Sequence, residues 1–382
     1  MKRIFIFSFF AWVITFAKAQ VTIEINSQPL QFESFSISIK SIELTKESTI
    51  IYKQVKPKSQ QISVWSSKDQ SIVDSSTGRS YNVVSSSVGF TPYESISLDM
   101  RTLALVEIYP PLPNSVSKID ITSDGRTCYV KGLNIGSKRE STNAEVTKGT
   151  NAYNTAQELA AKNQWDQAFR YYETSALLTG LSMAQLEVAL GYERGEGTKV
   201  SFPDAFYWMY KSGTNKFPLG NAYLYLGMYY REGVGTFVNH KESLKYFKLG
   251  SEKCLYNDYK DECSFYVATA YQRGLGVDEN ITEAIKWYRK AAENGHTVAS
   301  HNLGNRYALG EGVTCDFKEA AKWWTIAAQK GYVDSQMNLG KLYRYGEGNV
   351  KKDIKQARYW YNQASKQGVT QALIALQEIE NE

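Results

Sequence analysis

The stretch AIKWYRKAAENG at Ala284–Gly295 returns 36 residues later as AAKWWTIAAQKG at Ala320–Gly331, and this pair of near copies decides the fold. Each carries a small residue, an aromatic three positions on, and a second small residue four further. The sets are Ala284, Trp287, Ala291 and Ala320, Trp323, Ala327. A third copy runs through Ala357, Trp360 and Ala364. Large side chains spaced to meet small ones interlock neighbouring helices, so each copy predicts one packed helix. These helices are expected to stop at Gly295, Gly331 and Gly368, because glycine accepts the left-handed backbone that ends a helix.

Upstream of each copy stands a start signal. Four residues before the first small position lie Ser201, Asn239, Asn280, Asp316 and Asp353, all good N-cap side chains. Three residues further on come Asp204, Glu242, Glu283, Glu319 and Gln356. The Glu and Gln members predict a capping box, with the side chain reaching back to the cap amide. Before the caps is a G-x-G turn, and before the turn another helix. It carries small or apolar residues at i, i+4 and i+8, such as Ala299, Leu303 and Tyr307. An anchor tyrosine recurs near its end: Tyr192, Tyr230, Tyr271, Tyr307 and Tyr343, at spacings of 38, 41, 36 and 36 residues. Three residues before each anchor the side chain is small: Ala189, Gly227, Ala268, Gly304 and Gly340. So near-constant a period means stacked two-helix units rather than one globular core.

The small–Leu–Gly–Tyr first helix, the G-x-G turn and the A-x-x-W-Y-x-x-A-A-x-x-G second helix resemble the Sel1-like repeat family, a relative of the tetratricopeptide repeats. The likeness covers about half of the chain. It implies an α-α solenoid over residues 146–382. Within it lie a diverged helix pair at 150–180, five repeats at about 184–368, and a C-terminal capping helix at 370–380. Such end units shield the faces of a solenoid from water.

The front of the chain has a different texture. In residues 1–19, Lys2 and Arg3 precede the apolar run Ile4–Phe16 and the small-x-small site Ala17-Lys18-Ala19. That is the pattern of a secretory signal cleaved after Ala19, and the run is short for a membrane span. The protein is therefore expected to be exported, periplasmic or extracellular, with no transmembrane segment once the signal is removed. Residues 20–135 hold short runs rich in Val, Ile, Thr, Ser and Tyr. Strands are predicted at Val21–Ile25, Phe35–Leu44, Thr49–Val55, Ile62–Trp65, Tyr81–Val84, Thr102–Tyr109, Ile119–Thr122 and Cys128–Ile135. So many short strands suggest a β-sandwich of immunoglobulin-like type. Residues 136–145, GSKRESTNAE, read as a linker.

Lys and Arg total 44 against 39 acidic residues, a net charge of +5. The charges are scattered rather than clustered, which argues against a nucleic-acid partner. Of the four cysteines, Cys254 and Cys263 flank the longest connection between repeats. They are either bridged, which an exported chain permits and which is the expectation, or two packed thiols. The histidines His240, His296 and His301 show no metal-ligand spacing, and there is no H-E-x-x-H, G-x-S-x-G or C-x-x-C. No catalytic residue, metal ligand or cofactor is assigned. The G-x-G turns follow a helix, not a strand, and the next cap lies four or five residues beyond, so they read as structural rather than phosphate-binding.

The leading function is a scaffold or adaptor that binds a protein or peptide. In related helix-pair solenoids the first helices line an extended concave groove. The tetratricopeptide fold uses asparagine and basic residues there to hold peptide backbone and carboxylates, and Asn302, Asn305, Asn338 and Lys341 resemble that arrangement. Tyr225 and Tyr266 add aromatic anchoring. Two rivals stand beside this reading. One is a cell-envelope hydrolase of the β-lactamase-like or peptidoglycan-acting kind, an activity attributed to some Sel1-like proteins. The other is a structural envelope protein that binds a cell-envelope glycan. A signalling adaptor of a eukaryotic secretory pathway is a further reading that the resemblance leaves open.

Overall fold

The computed structural model describes residues 143–215 and 218–381 and, between 21 and 134, the strand segments given below together with Leu112. The expected signal at 1–19 and residues 136–142 of the expected linker lie outside the described residues. The helices are α1 (Asn143–Ala161), α2 (Trp165–Thr179), α3 (Ser182–Arg194), α4 (Phe202–Thr214), α5 (Gly220–Glu232), α6 (His240–Lys253), α7 (Asn257–Arg273), α8 (Ile281–Glu293), α9 (Thr297–Leu309), α10 (Phe317–Gln329), α11 (Val333–Tyr345), α12 (Ile354–Ser365) and α13 (Thr370–Asn381). They pack as consecutive pairs from α1–α2 to α11–α12, with α13 alone at the end. Helix α1 begins at Asn143, so the last residues of the expected linker are helical.

Within a pair, the small column of the first helix meets the aromatic run of the second. A Cβ on Gly304 would stand 2.6 Å from Trp324 Nε1, and one on Gly340 2.5 Å from Tyr361 Cε1. Nothing larger than glycine fits at those two contacts without moving a ring. Between pairs, side chains about one repeat apart tie neighbour to neighbour. Asn294 donates to Asp261 at 2.8 Å, Lys330 to the Gly295 carbonyl at 2.6 Å, and Gln367 to Gln336 at 2.9 Å. Two anchor tyrosines are held from the preceding unit: Lys248 donates to the Tyr271 hydroxyl at 2.8 Å, and Arg289 donates to that of Tyr307.

The turn inside each pair closes in one way. Asn239, Asn280, Asp316 and Asp353 cap their helices, each accepting from the amide three residues on at 2.9 to 3.1 Å. Ser201 differs, its hydroxyl donating to the Asp204 carboxylate instead. The return arm of the expected capping box does not form. The N–H of all five cap residues donates to the carbonyl of the preceding anchor tyrosine, at 2.7 to 3.0 Å. That bond satisfies a carbonyl which the end of the first helix leaves without a partner. Glu242, Glu283 and Glu319 pair instead with Lys245, Lys286 and Lys322. The second turn glycine sets the spacing between units. Gly276 has φ +74°, and a Cβ there would stand 2.6 Å from Lys241 N and closer still to the His240 carbonyl, at the start of the preceding unit's second helix.

The strands are β1 (Val21–Glu24), β2 (Leu30–Gln31), β3 (Phe35–Leu44), β4 (Thr49–Pro57), β5 (Gln61–Ser63), β6 (Ser71–Asp74), β7 (Ser80–Asn82), β8 (Ser85–Ser86), β9 (Ser95–Ser97), β10 (Leu103–Tyr109), β11 (Lys118–Thr122) and β12 (Cys128–Asn134). All pairings are antiparallel. One sheet runs β1-β3-β4-β10-β8 with β2 on β3, a second runs β12-β11-β6-β7, and β5 pairs β9. In β3 the register shifts between Ile39 and Ser41. This bulge flips the alternation, so that Ile39 and Ile42 are both buried.

Strand β4 is buried from Thr49 to Lys53. Its Tyr52 ring meets Tyr207 of α4 edge-on at 4.7 Å and Tyr210 at 5.9 Å. Gln54 donates to Asp204 at the head of the same helix, at 3.3 Å. This cover explains α4, in which Ala205 to Gly213 are all buried. A helix apolar on every side needs partners on every side. Also in this sheet, Lys53 and Tyr109 both donate to the Glu107 carboxylate, and all three are buried.

Candidate functional site

The first helices α5, α7, α9 and α11 present residues that the packing columns do not use. Between α7, α8 and α9 lies an open cavity of about 210 Å³. Its floor is Phe265 and Tyr288, and its walls are Thr269, Gln272, Arg273, Asn302, Asn305 and Arg306. Much of that wall is already engaged. The Thr269 hydroxyl donates to the Phe265 carbonyl at 3.0 Å, Gln272 accepts from the Tyr288 hydroxyl at 2.7 Å, and Arg306 pairs with Glu311. Asn302 and Arg273 make no hydrogen bond or ion pair among the described residues. The cavity therefore offers one amide, able to donate and accept, and one guanidinium.

Asn305 is the hub of an internal network. Its Oδ1 accepts from Trp324 Nε1 at 2.9 Å and from Asn338 Nδ2 at 3.3 Å. Indole N–H is a donor only, which fixes the orientation of the amide. Asn305 Nδ2 then donates to His301 Nε2 at 3.0 Å, so the imidazole proton sits on Nδ1 and is given to Ser335 Oγ at 2.9 Å. Burial holds His301 below the usual histidine value, with Asp334 pulling weakly the other way. A neutral imidazole is the form this network needs.

The residues expected to bind a partner thus divide. Asn302 and Asn305 come together at the cavity, but only Asn302 has a side chain to spare. Asn338 is spent on Asn305, and Lys341 is exposed on α11 outside the cavity wall. Tyr225 is half-buried, its hydroxyl pushed up to about 12 by burial and by Tyr259 beside it. Tyr266 stacks on Phe247 at 4.7 Å beneath the Arg231 guanidinium at 4.3 Å. Both tyrosines are packing residues on one side. Arg273, Gln272 and Arg306 were missed. Arg273 stands just before a turn glycine that is constant in all five units, at a position that itself varies from unit to unit.

The bridge expected between Cys254 and Cys263 is not formed. Both are free, buried thiols. Cys254 Sγ donates to Asn221 Oδ1 at 2.8 Å, and Cys263 packs against Gly250. Burial, then Cys254, then Glu262 push the Cys263 thiol far up. Among the described residues no group of three or more His, Cys, Asp or Glu could hold a metal ion, and no helix is long and apolar enough to cross a membrane.

The family model described as Sel1 repeat matches residues 182–216, 220–253, 262–296, 297–332 and 333–369. Among solved structures, the chain is similar to a Sel1 repeat protein from Oxalobacter formigenes. Identity is 29% and the TM-score 0.50, over 60% of this chain and 90% of that one. A protective antigen of uropathogenic Escherichia coli displaying an SLR fold matches at 22% identity and a TM-score of 0.39, over 62% of this chain and 57% of that one. No curated protein matches.

Proposed function

Since residues 182–369 are an array of Sel1 repeats, we propose that the protein is an exported scaffold that holds a peptide or a segment of a partner protein along its first helices. The observation that carries this is the cavity between α7, α8 and α9, where Asn302 and Arg273 have no side-chain partner among the described residues while the rest of the polar wall is engaged. An amide that can donate and accept at once suits a peptide bond. Asn302 is the residue we assign to backbone recognition, with Lys341 further along the same row of helices. Catalysis forms no part of this reading.

Export rests on the signal pattern of residues 1–19, and N-terminal sequencing of the mature protein should begin at Gln20. The strands before the solenoid are read as an immunoglobulin-like sandwich that braces α4 through Tyr52. Crosslinking of the full-length protein in its native compartment, with mass spectrometry, tests the scaffold. Asn302→Ala with Lys341→Ala should lose the captured partner while the helical circular dichroism is kept. Unchanged crosslinks would rule out this face.

A further inference from the structure

One column of the first helices runs beside the cavity and is unused in packing. The residue before the first turn glycine is Arg194, Glu232, Arg273, Leu309 and Tyr345 in successive units. It is charged in three units and apolar in the last two. Arg194 lies 4.0 Å from Glu196, and Glu232 pairs with Arg231 at 2.5 Å. Arg273 alone of the charged members has no partner among the described residues. Leu309 is 67% exposed and Tyr345 61%, so both side chains stand open to a partner. Leu309 follows Asn302, Asn305 and Arg306 on one face of α9, so the apolar rim continues from the cavity wall.

We propose that this rim reads a sequence: the groove takes an extended peptide with an acidic side chain at Arg273 and apolar side chains at Leu309 and Tyr345. The inference rests on the groove reading above and names the partner's chemistry. Charge complementarity selects the acid, because the other guanidinium at the cavity, Arg306, is neutralised by Glu311. Spacing follows from geometry. Packed helices stand about 8–10 Å apart. An extended chain advances about 3.3 Å per residue, so neighbouring units are reached by side chains about three residues apart.

Intact protein is panned against displayed random peptides of about ten residues, long enough to span three units. Binding of the enriched peptide, of its acid-to-amide form and of its apolar-to-serine form is then measured against wild type, Arg273→Gln, Leu309→Ser and Asn302→Ala. Enriched peptides should carry an acid and an apolar residue about three positions apart. Arg273→Gln should weaken the acidic peptide about tenfold or more and leave the amide form unchanged. The peptide-side change asks the same question without altering the protein. Binding that needs Asn302 but shows no coupling between the acid and Arg273 overturns the rim proposal and leaves the groove standing. No enrichment, or binding indifferent to all three variants, overturns both.

Discussion

Replacing Gly276 by alanine should damage the solenoid far more than the same change at Gly331, and the difference can be worked from the backbone. Both glycines have positive φ, +74° and +86°. An L-residue in that region costs about 1–2 kcal/mol. A Cβ at Gly331 would meet nothing within 4 Å, so this is its whole native-state cost. A Cβ at Gly276 would overlap the His240 carbonyl and Lys241 N, which are backbone and cannot turn aside. Overpacking of that kind adds about 1–3 kcal/mol. Loss of unfolded-chain freedom offsets about 0.4–1 kcal/mol at both sites alike. Gly276→Ala should therefore be the more destabilising by about 1–3 kcal/mol.

The assay is urea unfolding of the full-length protein followed by helical circular dichroism, with native-state hydrogen exchange alongside. Repeat arrays depart from two-state behaviour, so the exchange pattern matters as much as the midpoint. Protection should fall first on α6 and α7, which flank the altered contact. Equal midpoint shifts for the two variants would refute the idea that the second turn glycine sets unit spacing. So would protection lost evenly along the array.

Asn305→Ala should cost about 1–3 kcal/mol, because it strands Trp324 Nε1 and His301 Nε2 in a buried place; a change within error in the urea midpoint would show the network to be idle. Stability should also respond to acid. His301 is held below its ordinary value of 6.5, so the unfolded chain binds the proton more readily. Stability is then complete above that value and lost as pH falls from 6.5 toward the lower folded value. His301→Gln should flatten this slope, and an unaltered pH profile in the variant would contradict the assignment. Exposed Cys315 should react with a thiol reagent in the native protein, while Cys254 and Cys263 should wait for unfolding. Peptide mapping after alkylation checks this, and a Cys254–Cys263 disulfide peptide from fresh protein would reverse the description.

The helix pairs, their ends and the repeat boundaries were legible because each is encoded by residues within one turn of the feature. The cap residues and the tyrosine anchors recur in all five units at nearly fixed offsets. What failed depended on contacts made across space. The Glu side chains do not close the capping box because the cap amide is taken by the anchor carbonyl, about ten residues upstream. The burial of α4 on every side needs Tyr52, from another part of the chain, in addition to the flanking helices. The register shift between Ile39 and Ser41, which leaves Ile39 and Ile42 both buried, has no mark in the local sequence. Asn302 and Asn305 looked equivalent in sequence; only the approach of Trp324, His301 and Asn338 shows that one is spent and the other free.

That division has a consequence for how such a chain changes its partner. The positions that hold units together are buried or bonded to a neighbour one repeat away, and altering them costs kilocalories. Asn302, Arg273, Leu309 and Tyr345 stand outside those contacts, and surface changes of this kind usually fall within about ±0.5 kcal/mol. Helix contacts among the described residues run mainly between neighbouring units, so a change at one rim position is little felt by a distant unit. The rim can therefore be rewritten residue by residue, altering what the groove selects while the stack beneath it stays as stable as before. A variant library confined to these four positions should yield altered peptide preference with urea midpoints close to wild type. Midpoints that moved in step with preference would mean that recognition and stacking share residues, and that the two columns are not separable.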